Sequence, residues 1–140
     1  MGQDFAGRTV VVTGAASGIG NAVARHFAER GAAVFGVDLS ESVHAEMSRL
    51  PGTGHQGIAQ DLTAEGAGTA TIGAVLAVAG KVDILVNSAG IVLLDTALEL
   101  SEKKWDATLA VNLTASFKMA QAAGQAMTAA GYGRIINLAS

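Results

Sequence analysis

Apolar residues are arranged along the chain in two alternating rhythms. Short runs of β-branched and aliphatic residues occupy Thr9–Thr13, Ala33–Val37, Val82–Asn87 and Arg134–Leu138. They are apolar nearly throughout, as strands read when helices cover both of their faces. A weaker run, His55–Gln60, has Ile58 as its one large apolar residue. Between these runs the period changes. Ile19, Val23 and Phe27 recur every fourth residue with Asn21, Arg25 and Glu29 opposite, and Gly31 follows as a natural helix stop. Val43, Met47 and Leu50 repeat the pattern before Pro51, which cannot continue a helix. Thr63–Ala79 predicts a third helix, weakened by Gly66, Gly68 and Gly73. Ser101 is placed to cap a long fourth helix reaching toward Ala130, with Trp105, Leu109 and Leu113 along one stripe. Strand and helix alternate four times before a fifth strand, which right-handed crossovers turn into an α/β doubly wound parallel sheet.

Composition narrows the class without changing it. The 140 residues suit one domain, 1–140, and half of them (50%) are hydrophobic, which excludes a disordered tail. A formal net charge of −3 argues against affinity for nucleic acid, which needs a clustered cationic surface. No run approaches the roughly 20 apolar residues of a membrane span. With no cysteine there is neither a disulfide framework nor a thiolate nucleophile, a composition that fits the cytoplasm. His26, His44 and His55 have no metal-ligand spacing and read as solvated or structural, so no metal is expected.

The candidate chemistry begins where the first strand runs into Thr13-Gly14-Ala15-Ala16-Ser17-Gly18-Ile19-Gly20. Gly14 permits a sharp turn, Gly18 removes a side chain where phosphate approaches, and Gly20 permits close helix–sheet contact. A helix starting inside this segment offers free N–H groups and a partial positive charge to a pyrophosphate. An ordinary loop is the plainer reading, but the flanking strand and amphipathic helix supply the context a dinucleotide site requires. Asp38 ends the second strand, where a carboxylate accepts hydrogen bonds from ribose hydroxyls and repels a 2′-phosphate. No Arg or Lys stands at Ala15–Ser17 or Leu39–Ser40, so NAD is favoured over NADP. The alternative for Asp38 is a solvated residue that caps the next helix.

The spacing Gly-x-x-x-Gly-x-Gly resembles that of the short-chain dehydrogenase/reductase family, and further matches follow in order. Asp61-Leu62 stands where the family places an acid near adenine. Asn87-Ser88-Ala89-Gly90 resembles its Asn-Asn-Ala-Gly. Val111-Asn112 lies in the long helix, and Arg134–Ser140 looks like the fifth strand carrying the active-site serine. The resemblance implies a Rossmann-like sheet with strand order 3-2-1-4-5 and hydride transfer between nicotinamide and a small-molecule alcohol/ketone pair. It makes Gly14, Ser17, Gly18, Ile19, Gly20, Asp38, Asp61, Leu62, Asn87, Ala89 and Gly90 cofactor-binding, Ser140 the orienting serine and Asn112 the relay asparagine. Without it, Asn112 is a mid-helix polar residue that kinks or braces the helix.

Two departures from the family pattern stand out. Ser88 replaces the second asparagine, offering fewer hydrogen bonds to brace the fourth strand. The family's Tyr-x-x-x-Lys, whose lysine lowers the pKa of the proton-donating tyrosine, is not in this sequence; Tyr132 is the only tyrosine and precedes the fifth strand. The chain therefore reads as truncated, with the pair beyond Ser140, and on its own is not expected to turn over. The fifth strand would leave an unpaired edge and an apolar face, so further polypeptide is expected to cover it. Leu113–Ala130, charged only at Lys118, packs either inside the monomer or, as in the family, in a dimer or tetramer interface; Trp105 belongs to the core or to a subunit contact. The function expected is that of an NAD-dependent oxidoreductase of a secondary alcohol, with a polyol or sugar alcohol as one substrate class. A 3-oxoacyl-thioester reductase and a non-catalytic dinucleotide-binding module remain as alternatives.

Overall fold

The computed structural model describes residues 2–140. Five strands, β1 (Thr9–Thr13), β2 (Ala33–Asp38), β3 (Gln56–Ala59), β4 (Ile84–Asn87) and β5 (Arg134–Asn137), form one parallel sheet in the order β3-β2-β1-β4-β5. Alternate strand residues serve two cores. Val10, Val12, Val34, Ile84 and Val86 pack against α1 (Gly18–Glu29) and α2 (Val43–Ser48) through Ala24, Phe27, Val43 and Met47. Val11, Phe35, Val37 and Leu85 face α3 (Ala67–Ala79) and a long C-terminal helix through Ile72, Val75, Met119 and Met127. Burying each of these larger side chains is worth about 1.5–3 kcal/mol, which is why the apolar runs at both faces dictate a layered α/β architecture.

Several elements depart from their predicted limits for identifiable reasons. β4 starts at Ile84 rather than Val82, and β5 ends at Asn137 rather than Leu138. The third helix begins at Ala67, because Asp61 holds the N–H and hydroxyl of Thr63 in a turn and Gly66 adopts a left-handed conformation. The long helix is capped by Ser101, whose hydroxyl accepts from the Lys104 N–H at 3.2 Å. It is interrupted, however: α4 (Glu102–Leu109) passes through one π-helical turn, Ala110–Thr114, into α5 (Ala115–Ala130).

Burial also corrects the sequence reading. Ile19, expected on the buried stripe of α1, is 65% exposed, and in that first turn it is Gly20 that faces inward, against the end of β1. Trp105, Leu109 and Leu113 face outward, so Trp105 is not core. Unlike the other strong strands, β5 is not covered on both faces: all four of its residues are exposed, as the expectation of an unpaired edge and an open apolar face requires. It forms the sheet edge, as the predicted order requires.

At the end of the sheet where the strands begin, Asp83 ties three strands together. Its carboxylate accepts from the Thr9 N–H at 2.8 Å and pairs with Lys81 at 3.0 Å and Arg8 at 3.4 Å, while its main-chain oxygen accepts from the Arg134 N–H. Burial pushes this carboxyl up, but the Thr9 N–H and the two cations together hold it below the usual aspartate value. His55 accepts from the Val34 N–H at 3.1 Å and its other ring nitrogen meets the Pro51 oxygen, a structural role.

Candidate active site

The parallel sheet brings the motif residues to one edge, where its strands end. In a doubly wound sheet a ligand crevice opens there, at the point where chain order reverses. In this order the reversal lies between β1 and β4. The segments converging on it are Gly14–Gly20 after β1, Asp38 at the end of β2, Asp61–Leu62 after β3, Asn87–Gly90 after β4 and Ser140 after β5.

The turn after β1 is tightly built. Gly14 has φ 68°, and a Cβ there would stand 2.9 Å from the Ala89 Cα, so only glycine fits against the loop after β4. At Gly20 a Cβ would run into the backbone of Gly14, which lets α1 start directly behind the turn. Gly18 meets nothing within 4 Å and lies open to solvent beside Ser17 and Ile19. Ser17 precedes α1 in an extended conformation without capping it through its side chain. The first turn of α1 thus presents backbone N–H groups at an exposed, glycine-lined opening, with no acidic side chain among them.

Asp38 closes one side of this opening. One carboxylate oxygen accepts from the Ala16 N–H and the other from the Ser40 N–H, both at 3.0 Å. The half-buried carboxylate is therefore fixed in direction at the turn rather than free in solvent, and Leu39 beside it is 74% exposed. Asp61 is exposed, and its hydrogen bonds from the hydroxyl and N–H of Thr63 lower its pKa. Leu62 is half-buried against the α3 side of the sheet.

On the other side of the switch point, buried Asn87 donates to the Ser116 carbonyl at 3.2 Å and to the Asn137 side chain at 2.9 Å, tying β4 to both α5 and β5. Ser88 contributes its N–H, not its hydroxyl, to the bracing: the Thr13 hydroxyl oxygen accepts from Ser88 and Ala89 N–H groups at 3.0 Å each. Asn112 sits in the π turn and grips one residue from both sides, accepting from the Ile91 N–H at 2.8 Å and donating to the Ile91 carbonyl at 2.9 Å. Leu138 N–H donates to the Asn87 carbonyl, so Ser140 leaves the sheet at the edge that carries the Asn87–Gly90 loop, and it is exposed. Val92 and Leu94 in the following loop are exposed as well.

The family model for short chain dehydrogenases matches residues 8–140. The chain belongs to the short-chain dehydrogenase family. It is 47% identical over 137 residues to a D-threitol dehydrogenase of Mycolicibacterium smegmatis, covering 96% of this chain and 53% of that protein. It is 41% identical over 133 residues to an NAD-dependent glycerol dehydrogenase of Listeria innocua, covering 95% and 52%. A solved structure of a candidate NAD(P)-dependent gluconate 5-dehydrogenase from Beutenbergia cavernae, with NADP bound at low occupancy, superposes with a TM-score of 0.92 at 36% identity, over 100% of this chain and 57% of that one. The chain thus spans about half the length of the relatives it matches.

Within this family member, two site residues escape a reading by motif. Thr13 is a buried strand-end hydroxyl that pins the loop after β4; a polar residue closing an otherwise apolar strand just before glycine was the available signal. Asn21 falls on the polar face of α1 by its spacing, yet its amide turns back into the glycine turn and donates to the Ala15 carbonyl. Nothing in the periodicity distinguishes it from a solvated position.

Proposed function

We propose that these residues are the cofactor-binding part of an NAD-dependent dehydrogenase/reductase acting on a secondary alcohol or its ketone. The observation that carries this reading is the carboxylate of Asp38, aimed at the glycine turn by the Ala16 N–H at 3.0 Å. A fixed negative charge there accepts ribose hydroxyls and repels a 2′-phosphate, favouring NAD over NADP. The glycine-lined opening fits a pyrophosphate: Gly14, Ser17, Gly18, Ile19 and Gly20 would hold it through the N–H groups of the first turn of α1. Asp61 and Leu62 would serve the adenine end, and Asn87, Ala89 and Gly90 the nicotinamide end. When bound, NAD supplies the hydride acceptor.

On this reading Ser140 orients the substrate oxygen, and Asn112 supports the proton relay by bracing Ile91, since its carboxamide is engaged on both sides. These 140 residues contain no Tyr-x-x-x-Lys, so on this reading they do not supply the pair that completes proton transfer. A polyol or sugar alcohol is the substrate class we favour, supported by the names of the threitol and glycerol dehydrogenases. The exposed stripe of Trp105, Leu109, Leu113 and Phe117 supports a homo-oligomer built on the long helix. A cytoplasmic location, where nicotinamide dinucleotides are abundant, goes with this reading.

Calorimetric titration tests the cofactor assignment. The chain should bind NAD more tightly than NADP, Asp38→Ala should weaken NAD about tenfold or more, and Asp38→Arg should reverse the preference. A wild-type preference for NADP would overturn the role of Asp38, and a folded chain that binds neither dinucleotide would overturn the binding reading. Turnover by the 140 residues alone would overturn the reading that the proton-transfer pair is not among them.

A further inference from the structure

The peptide plane between Ala15 and Ala16 lies in the middle of the glycine turn and is held at both ends. Its carbonyl oxygen accepts from Asn21 Nδ2 at 3.1 Å, and its N–H donates to Asp38 Oδ2 at 3.0 Å. The preceding N–H, that of Ala15, donates to the Val37 carbonyl at 3.2 Å, and Ala15 itself is fully buried. Because a peptide unit is planar, fixing its oxygen on one side and its N–H on the other fixes the orientation of the whole plane. Asn21 is in turn shared: the same Nδ2 reaches Glu46 Oε2 at 3.4 Å on α2, and the other oxygen of Glu46 takes Arg49 at 2.7 Å.

We infer that Asn21 is a positioning residue of the phosphate-binding turn, acting with Asp38 from the opposite side to hold the Ala15–Ala16 peptide. The inference rests on the dinucleotide reading above and extends it to a residue that touches neither ribose nor phosphate. The chemistry is that of a turn built for an anion. A carbonyl oxygen carries partial negative charge and repels phosphate if it swings into the opening. The Asn21 amide gives that oxygen a partner on the helix side, and Glu46 gives the amide's direction a second anchor. Asp38 then has two tasks, recognising ribose and holding the turn, and the two are linked through one peptide.

The test separates pyrophosphate from the rest of the nucleotide. NAD, ADP and adenosine are titrated against the chain and followed by the shifts of its amide N–H signals. Asn21→Leu should weaken NAD and ADP about five- to tenfold and adenosine by less than about twofold, and Asn21→Gln, which keeps the donor, should recover most of the loss. Asn21→Ser, too short to reach the Ala15 carbonyl, repeats the test if the leucine variant unfolds. Combining Asn21→Leu with Asp38→Ala should cost NAD less than the product of the two single losses. Wild-type ADP affinity in Asn21→Leu, or an equal loss for adenosine, would overturn the inference. A wild-type chain that binds neither NAD nor ADP would overturn the dinucleotide reading and, with it, this role.

Discussion

β1 reads Thr-Val-Val-Val-Thr and β5 reads Arg-Ile-Ile-Asn, and both pair in parallel with β4. Every residue of β1 is buried and every residue of β5 is exposed. The difference lies in the neighbours. β1 has strands on both sides and helices over both faces, whereas β5 has β4 alone, and its Ile135 and Ile136 remain 39% and 46% exposed. Strand formation thus follows from local residue type and a single partner, while burial is set by how many layers close around the strand. The site straddles this contrast: Gly14, Asp38 and Thr13 are fixed by the well-covered half, and Ser140 hangs from the uncovered one.

The widest separation between the halves should come from placing a charge in each strand. Val11→Asp puts an unpaired carboxylate at a fully buried position and should cost more than about 4 kcal/mol, enough to unfold the chain. Ile136→Asp should stay within about 1 kcal/mol of wild type in urea denaturation of the chain. Comparable losses in both would mean that β5 is as enclosed as β1.

Glycine gives a contrast of sign. Gly20→Ala forces a Cβ into the backbone of Gly14 and should cost about 1–3 kcal/mol, together with NAD affinity. Gly124→Ala, in the interior of α5 with nothing within 4 Å of its Cβ, should instead stabilise the chain by about 0.5–1 kcal/mol. Paired melting curves check both.

Asp83, where the two halves are tied together, should give a smaller and pH-dependent effect. Its pKa is depressed in the folded chain, so its stabilising contribution is complete above the ordinary aspartate value of about 3.9 and is lost as pH falls through the lower folded value. Asp83→Ala leaves the Thr9 N–H without its acceptor, should cost about 1–3 kcal/mol near neutrality, and should flatten that acid limb. An unchanged acid limb would show that other carboxylates dominate it.

What the sequence made legible follows the same division. The strands, their order and the glycine turn were readable because Val10–Val12 and Val34–Val37 are apolar on both faces and because Gly14 and Gly20 stand where a Cβ has no room. Side-chain direction was harder to read. Ile19 keeps the spacing of a core residue, but in the first turn of α1 it is Gly20 that packs against the end of β1 and Ile19 is left exposed. Asn21 acts through a hydrogen bond to the main chain of the glycine turn, a partner that leaves no pattern along the chain, whereas Thr13 is marked only as a polar residue closing an apolar strand. At Asn112 the mid-helix polar residue marked the place of an irregularity, but its π form and its partner Ile91, arriving from the loop after β4, were hidden.

That turn has a geometric effect beyond the bond it accommodates. Trp105, Leu109, Leu113 and Phe117 are spaced by four residues, and all four are exposed. In uninterrupted α-helix, twelve residues from first to last would swing the final side chain about 120° around the axis. One π turn absorbs a residue without advancing the winding and reduces that drift to about 20°. The four side chains therefore form a nearly straight ridge instead of a spiral. Deleting a single residue from Ala110–Thr114 would restore continuous α-helix and leave eleven steps with the same drift of about 20°, so the ridge would stay in line while the turn that carries Asn112 to Ile91 was lost.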